Sequence, residues 1–145
     1  MAIDVTAEAV IARPRSDVVA FATEPTNDPV WIGGVVEAEL ETPPPIGPGS
    51  NVRRVAKFLG RRFGYVTEVV SWEPGAGITM RATSPFPMTI RYEFTDNGSG
   101  TTTRIRVQGE ASGFFRLAEP LLARQVKGNI SKDLLRLKRI LEAQS

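Results

Sequence analysis

Arg54 is the residue whose placement most demands a chemical explanation. The stretch Val52, Arg54, Ala56, Phe58 alternates with Arg53 and Lys57. With Gly60-Arg61 as a hairpin turn, Phe58 faces Phe63, Ala56 faces Tyr65, Arg54 faces Thr67 and Val52 faces Val69. The set Val52, Ala56, Phe58, Phe63, Tyr65 and Val69 is the more apolar and points inward, and Arg54 points inward with it. A buried guanidinium must find an acceptor, because an unpaired buried charge is very costly. Glu93 and Glu110 fall on outer faces, so no carboxylate is obviously placed to meet it. The expected acceptor is an anionic or carbonyl oxygen of a ligand, with Tyr65 and Tyr92 as neutral hydroxyl partners. A slipped register, or an arginine reaching out to a pocket rim, is the structural alternative.

Composition narrows the remaining chemistry. The 145 residues contain no His and no Cys. That removes the commonest general base, the Ser-His-Asp triad, thiolate nucleophiles, disulfides, and every zinc, haem or iron–sulfur site built on those ligands. Carboxylates, Arg, Lys, Tyr, hydroxyls and backbone groups are left. No paired carboxylates stand out. Gly47-Pro48-Gly49 contains a proline and leads into a strand, so it does not cradle phosphate. Neither cofactor nor metal is expected. The net charge of +2 is unevenly spread: residues 1–45 carry a net −6, residues 46–112 and 113–145 a net +4 each. The basic C-terminal face of Arg124, Lys127, Lys132, Arg136 and Arg139 is read as a solvated helix face, with RNA or an acidic partner as the alternative. No apolar run reaches the ~18 residues of a membrane span. The N-terminus has no basic region of a signal peptide, so a cytoplasmic protein is expected.

The elements that must hold Arg54 follow from periodicity. Ile3, Val5, Ala7, Ala9 and Ile11 alternate with polar residues, a first strand over about 2–12. Pro14 opens a short helix of about 14–22. Residues 24–32 form a turn plus a short helical piece. Val36, Ala38 and Leu40 alternate with Glu37, Glu39 and Glu41, a second strand with an acidic outer face. From residue 50 turn signals separate strands at about 50–59, 61–73, 77–84, 87–96 and 101–112. Met88, Ile90, Tyr92 and Phe94 give the cleanest inward set. Phe114, Ala118, Leu122, Val126, Ile130, Leu134, Leu137 and Leu141 then recur at steps of three or four, widened by Leu117 and Leu121. This is one face of a helix of about 30 residues, kinked at Pro120 or starting just before it. Gly128 in its middle either makes room for a ligand or is a tolerated surface glycine. Trp72 lies on the opposite face from Tyr65 and Val69 and packs at an edge.

Seven antiparallel strands with one polar face need a cover for the other, and only the C-terminal helix is long enough. The fold class expected is α+β: a seven-stranded curved antiparallel sheet wrapped on a long C-terminal helix, with two short helices between strands 1 and 2, in a single domain of residues 1–145. Sheet and helix diverge at their ends, and small inward residues such as Ala7, Ala56 and Ala82 widen the gap. That gap is the default ligand site.

In this arrangement the chain resembles the SRPBCC superfamily, also called START-like or helix-grip, and within it the polyketide cyclase/dehydrase-like proteins. The resemblance rests on Ile11-Ala12-Arg13-Pro14, Asn27-Asp28-Pro29 with Trp31, Gly47-Pro48-Gly49-Ser50, Phe58-Leu59-Gly60-Arg61-Arg62, Val69 to Glu73-Pro74, and Asp133-Leu134 with Leu137-Lys138. It spans essentially the whole chain. It implies the helix-grip fold and a Trp31 near the pocket entrance, able to stack on a planar ligand or to cap the core. The superfamily hosts binders, transporters and enzymes on one scaffold, so it implies no universal catalytic residue. A cyclase-type reaction would need a base and an enolate stabiliser. Arg54 with Tyr65 or Tyr92 suits the second role, but no buried acid presents itself for the first.

The reading is a cavity that binds a small apolar or amphipathic molecule, aromatic and polyketide-like ones included. Its expected lining is Trp31, Arg54, Phe58, Tyr65, Thr67, Met80, Ile90, Tyr92, Phe114, Ala118, Leu122 and Val126. Phe114 and Phe115 form a lid or seat the helix start. The first alternative is a cyclase or dehydratase acting in the same cavity, which a buried carboxylate near Arg54 or Tyr65 would favour. The second is the protein or RNA interaction module noted above. A monomer or homodimer is expected, with nucleic acid not the partner of the main reading.

Overall fold

The computed structural model describes residues 3–58, 60–84, 86–110 and 119–144. Seven strands form one antiparallel sheet: β1 (Ile3–Ile11), β2 (Val35–Leu40), β3 (Asn51–Phe58), β4 (Arg61–Glu73), β5 (Gly77–Ala82), β6 (Met88–Asn97) and β7 (Gly100–Gly109). Their spatial order is β1-β7-β6-β5-β4-β3-β2. Between β1 and β2 lie α1 (Arg15–Ala22), a 3-10 turn (Pro25–Asn27) and α2 (Asp28–Trp31); α3 (Glu119–Ala143) closes the chain. This is the helix-grip architecture.

The uneven charge becomes intelligible in the sheet. The acidic edge strands lie against arginine-bearing neighbours, so Glu8 pairs with Arg104 at 3.1 Å, Asp4 with Arg106 at 2.7 Å and Glu39 with Arg53 at 2.9 Å. Opposite charges across strands give the outer face a mutually satisfied polar surface. The inner face carries Ala7, Ile11, Val69, Met80, Tyr92, Phe94 and Ile105, all buried. Against it α3 presents Ile130, Leu134, Leu137 and Leu141. The far end of α3 is fixed by Arg13, whose Nη1 donates to the carbonyls of Leu141, at 2.6 Å, and Gln144. A cation on the last helical carbonyls satisfies orphan acceptors and suits the helix dipole.

Several local expectations are corrected. In the β3–β4 hairpin Phe58 pairs with Arg61, Ala56 with Phe63, Arg54 with Tyr65 and Val52 with Thr67. The turn sits one residue earlier, with Gly60 at a φ of 75° that suits glycine. The register therefore moves by two, and a shift of two leaves every side chain on its expected face. In β2 a register irregularity between Val35 and Glu37 buries Val35 and exposes Val36. In β4 a similar irregularity between Val69 and Ser71 flips the alternation and brings Trp72 against the core, not onto the opposite face. Leu121 is exposed and does not widen the α3 stripe. Pro120 is the second residue of the helix as described. The helix start expected near 113, with Phe114, Phe115, Leu117 and Ala118, lies outside the described residues, as does the side chain of Phe58.

Candidate functional site

Arg54 is buried, as its strand parity requires, but its acceptor comes from the chain itself. Nε donates to Asp28 Oδ2 at 2.7 Å, with the two side chains 7% and 2% exposed. Nη1 donates to Thr67 Oγ1 at 2.6 Å, and among the described residues Nη2 has only the Met80 sulfur, at 3.8 Å. This corrects the expectation that no carboxylate meets Arg54. Asp28 sits at the start of α2, a four-residue helix whose N-terminal amides also favour an acid. Burial pushes the Arg54 guanidinium down, but Asp28 pulls it back above its ordinary value. Burial pushes the Asp28 carboxyl above the usual range against the pull of Arg54. The pair is thus charge-neutral as a unit, and its acid is the end that takes a proton first.

The sheet and α3 fail to fill the space beside this pair. An inner chamber of about 170 Å³ is bordered by Trp31, Arg54, Met80, Ile90, Tyr92 and Val126, among others. An outer chamber, also about 170 Å³, is bordered by Val35, Ala56, Phe63 and Phe86. Ile32, Tyr65, Met88, Val126 and Asp133 border both, so the chambers adjoin. A single apolar cavity of ~150 Å³ already holds a benzene ring; two adjoining chambers of this size suit a larger apolar body. Burial raises the Tyr92 and Tyr65 phenols above their ordinary value, so both hydroxyls stay neutral hydrogen-bonding groups.

Trp31 supplies the inner chamber's unusual feature. Its indole is 1% exposed and meets Tyr92 edge to face, with ring centroids 5.8 Å apart. Its Nε1 has no hydrogen-bond partner among the described residues. A buried donor without an acceptor costs about 1–3 kcal/mol, and it belongs to a residue that borders the inner chamber. Its backbone carbonyl accepts from Arg136 Nη1 at 2.8 Å, and Arg136 also reaches Asp133 Oδ1 at 3.3 Å. The same Asp133 oxygen accepts the Gly33 N–H at 3.0 Å. A Cβ on Gly33 would lie 3.0 Å from Arg136 Nη1, so glycine lets this clasp close. It fastens the loop after α2 to α3 and holds Trp31 in place. Burial pushes the Asp133 carboxyl above its usual range, against Gly33 and Arg136, which lower it.

Of the expected lining, Trp31, Arg54, Tyr65, Met80, Ile90, Tyr92 and Val126 do border the inner chamber. Thr67 instead stands behind it as a support for Arg54. Leu122 packs with Ile3 and Phe86 in a separate apolar cluster and borders neither chamber. Phe58, Phe114 and Ala118 lie outside the described residues. Two carboxylates were missed. Asp28 hides in a turn-like Asn-Asp-Pro. Asp133 follows Val126 by seven and Ile130 by three, which puts it on the buried stripe, a readable signal. Gly128 borders neither chamber, and a Cβ there would touch nothing within 4 Å, so it is a tolerated surface glycine. Among the described residues no three His, Cys, Asp or Glu gather to hold a metal, and no helix is long and apolar enough to cross a membrane.

Comparison with known proteins agrees with this geometry. Residues 2–142 match the family model described as polyketide cyclase / dehydrase and lipid transport. No curated protein matches the chain in sequence. The crystal structure of TTHA0849 from Thermus thermophilus is similar, with a TM-score of 0.82 at 21% identity over 98% of this chain and 99% of that one. DR_A0006 from Deinococcus radiodurans aligns with a TM-score of 0.72 at 17% identity, over 98% and 99% of the two chains. The di-domain ARO/CYC protein BexL from the BE-7585A biosynthetic pathway gives a TM-score of 0.75 at 16% identity. That alignment covers 96% of this chain and 46% of BexL. At these identities the likeness is one of fold.

Proposed function

The chain belongs to the polyketide cyclase/dehydrase and lipid-transport family, and from that premise we propose that it binds a small apolar or amphipathic molecule in the two adjoining chambers. Residues 1–145 then act as one binding domain. The observation that carries the reading is the unfilled apolar volume bordered by Trp31, Tyr65, Tyr92 and Val126. The inner end suits a neutral acceptor, a carbonyl or hydroxyl oxygen, better than an anion. Asp28 already neutralises Arg54, so a second buried anion would lose its hydration with no free cation to replace it. An aromatic or polyketide-like body fits the Trp31, Tyr65 and Tyr92 walls. Native mass spectrometry of the protein purified from its own host tests this. A stoichiometric co-purified small molecule, released on denaturation, is expected. Purely apo protein that also takes up no neutral apolar probe would overturn the reading.

One observation favours a second reading, an enzyme of the cyclase/dehydratase type. Asp133 is a buried carboxylate with a raised pKa that borders both chambers together with Tyr65, the feature of a general base. Deuterium exchange at the central carbon of ethyl acetoacetate, accelerated by the wild type and not by Asp133→Asn, would select it; equal rates with and without protein would dismiss it. Nothing comparable favours the interaction module. Two of its cations, Lys127 and Arg136, are spent on the backbone carbonyls of Thr6 and Trp31.

A further inference from the structure

Beyond the outer chamber lies a polar recess lined by Gly33, Gly34, Asn129 and three cations, Lys57, Lys132 and Arg136. It shares Gly34, Lys57, Asn129 and Asp133 with the outer chamber, so the three spaces run in series from the Arg54–Asp28 pair to the surface. Their charges differ. The inner end is neutral, because Asp28 pairs with Arg54. At the recess, Asp133 cancels Arg136. Lys57 and Lys132 are exposed and form no ion pair among the described residues. On the sheet, by contrast, Arg53, Arg91, Arg104 and Arg106 each have a carboxylate. The chain holds only four lysines, and two of them meet at this opening.

We infer that the ligand is an amphipathic anion, bound with its apolar body in the chambers and its acidic group outward, between Lys57 and Lys132. This rests on the cavity reading above and adds to it the charge of the ligand and the direction in which it lies. The ordering follows from cost. An anion at the neutral, buried inner end would forfeit hydration without a free cation to replace it. At the recess it keeps water on one side and gains two unpaired ammonium groups. Lys57 comes from β3 and Lys132 from α3, so the anion would also bridge the sheet to the helix that covers it.

The test uses decanoate and decanol, which share a chain and differ in charge at neutral pH. Each is titrated as a competitor of the neutral fluorophore N-phenyl-1-naphthylamine, in low salt and at 0.2 M NaCl, a concentration at which exposed charges are screened over about 7–8 Å. Lys57→Glu/Lys132→Glu is expected to weaken decanoate about tenfold or more in low salt, while decanol changes by less than about twofold, since only the charged ligand feels the reversed charges. Salt is expected to weaken decanoate and not decanol in the wild type. Decanoate indifferent to both charge reversal and salt would overturn the inference while leaving the cavity reading intact. So would a parallel loss of both ligands, which would make the lysines mere supports of the opening. If neither competitor nor fluorophore binds the wild type, the cavity reading fails first. Retained decanol binding shows that the variant is folded.

Discussion

Removing one member of the Arg54–Asp28 pair is the perturbation whose cost the structure sets most sharply. At 2.7 Å and an effective dielectric constant near 20, the attraction is about 6 kcal/mol. Desolvation of both ions consumes most of that, so the pair adds little net stability, whereas a lone survivor costs about 3–5 kcal/mol. Asp28→Leu and Arg54→Met should each lower stability by that amount. For a domain this size that is a fall in Tm of roughly 10–15 °C, at about 3 °C per kcal/mol. Arg54→Met with Asp28→Leu leaves no orphan charge and fills the volume, so the double variant should lie within about 1–2 kcal/mol of wild type. The assay is urea unfolding of all four proteins, read as a coupling energy. Single variants within 1 kcal/mol of wild type, or a double variant as unstable as the singles combined, would refute the reasoning.

Three further outcomes are expected. Trp31→Phe keeps the edge contact with Tyr92 and removes the unpartnered donor. A thermal melt should show Tm unchanged or raised, because the donor removed has no acceptor to lose; a Tm lowered by several degrees would contradict this. Asp133 has a folded pKa above its unfolded value of 3.8. The stability it contributes is therefore fully present below pH 3.8 and lost as pH rises through the folded pKa. Urea melts at a series of pH values from acid to neutral should show the wild type losing ground steadily to Asp133→Asn; a gap that widens in favour of wild type with pH would contradict the shift. Gly128→Ala, in open space on α3, should add about 1 kcal/mol of stability by helix propensity, seen as a higher Tm with unchanged ligand binding.

Much of this fold is legible in the chain because its periods are clean. Met88, Ile90, Tyr92 and Phe94 alternate without a break, and the α3 stripe from Leu122 to Leu141 repeats in threes and fours. The inward placement of Arg54 survived a two-residue register error because strand parity is insensitive to it. Trp72 and Val36 were misplaced for the opposite reason. An irregularity of one residue in β4 and β2 inverts parity; no glycine or proline marks the site in β4, and Gly33-Gly34 beside the site in β2 reads as an ordinary turn before a strand. Asp28 was hidden because its contact with Arg54 spans 26 positions and links a turn to a strand. Asp133 was readable on the helical stripe but belongs to a clasp with Gly33 and Arg136 that only the folded chain brings together. The basic segment looked like an outward-facing surface, yet Arg136 and Lys127 turn out to tie α3 to the loop after α2 and to β1.

The central claim is that sheet and helix enclose a volume left empty for a guest. Val126 borders both chambers, so Val126→Trp should fill the passage between them. Titration of N-phenyl-1-naphthylamine by fluorescence compares the two proteins. Saturable uptake of one equivalent by the wild type, lost in the variant while its circular dichroism is unchanged, is the expected result. Equal uptake by both proteins, or none by either, would contradict the account.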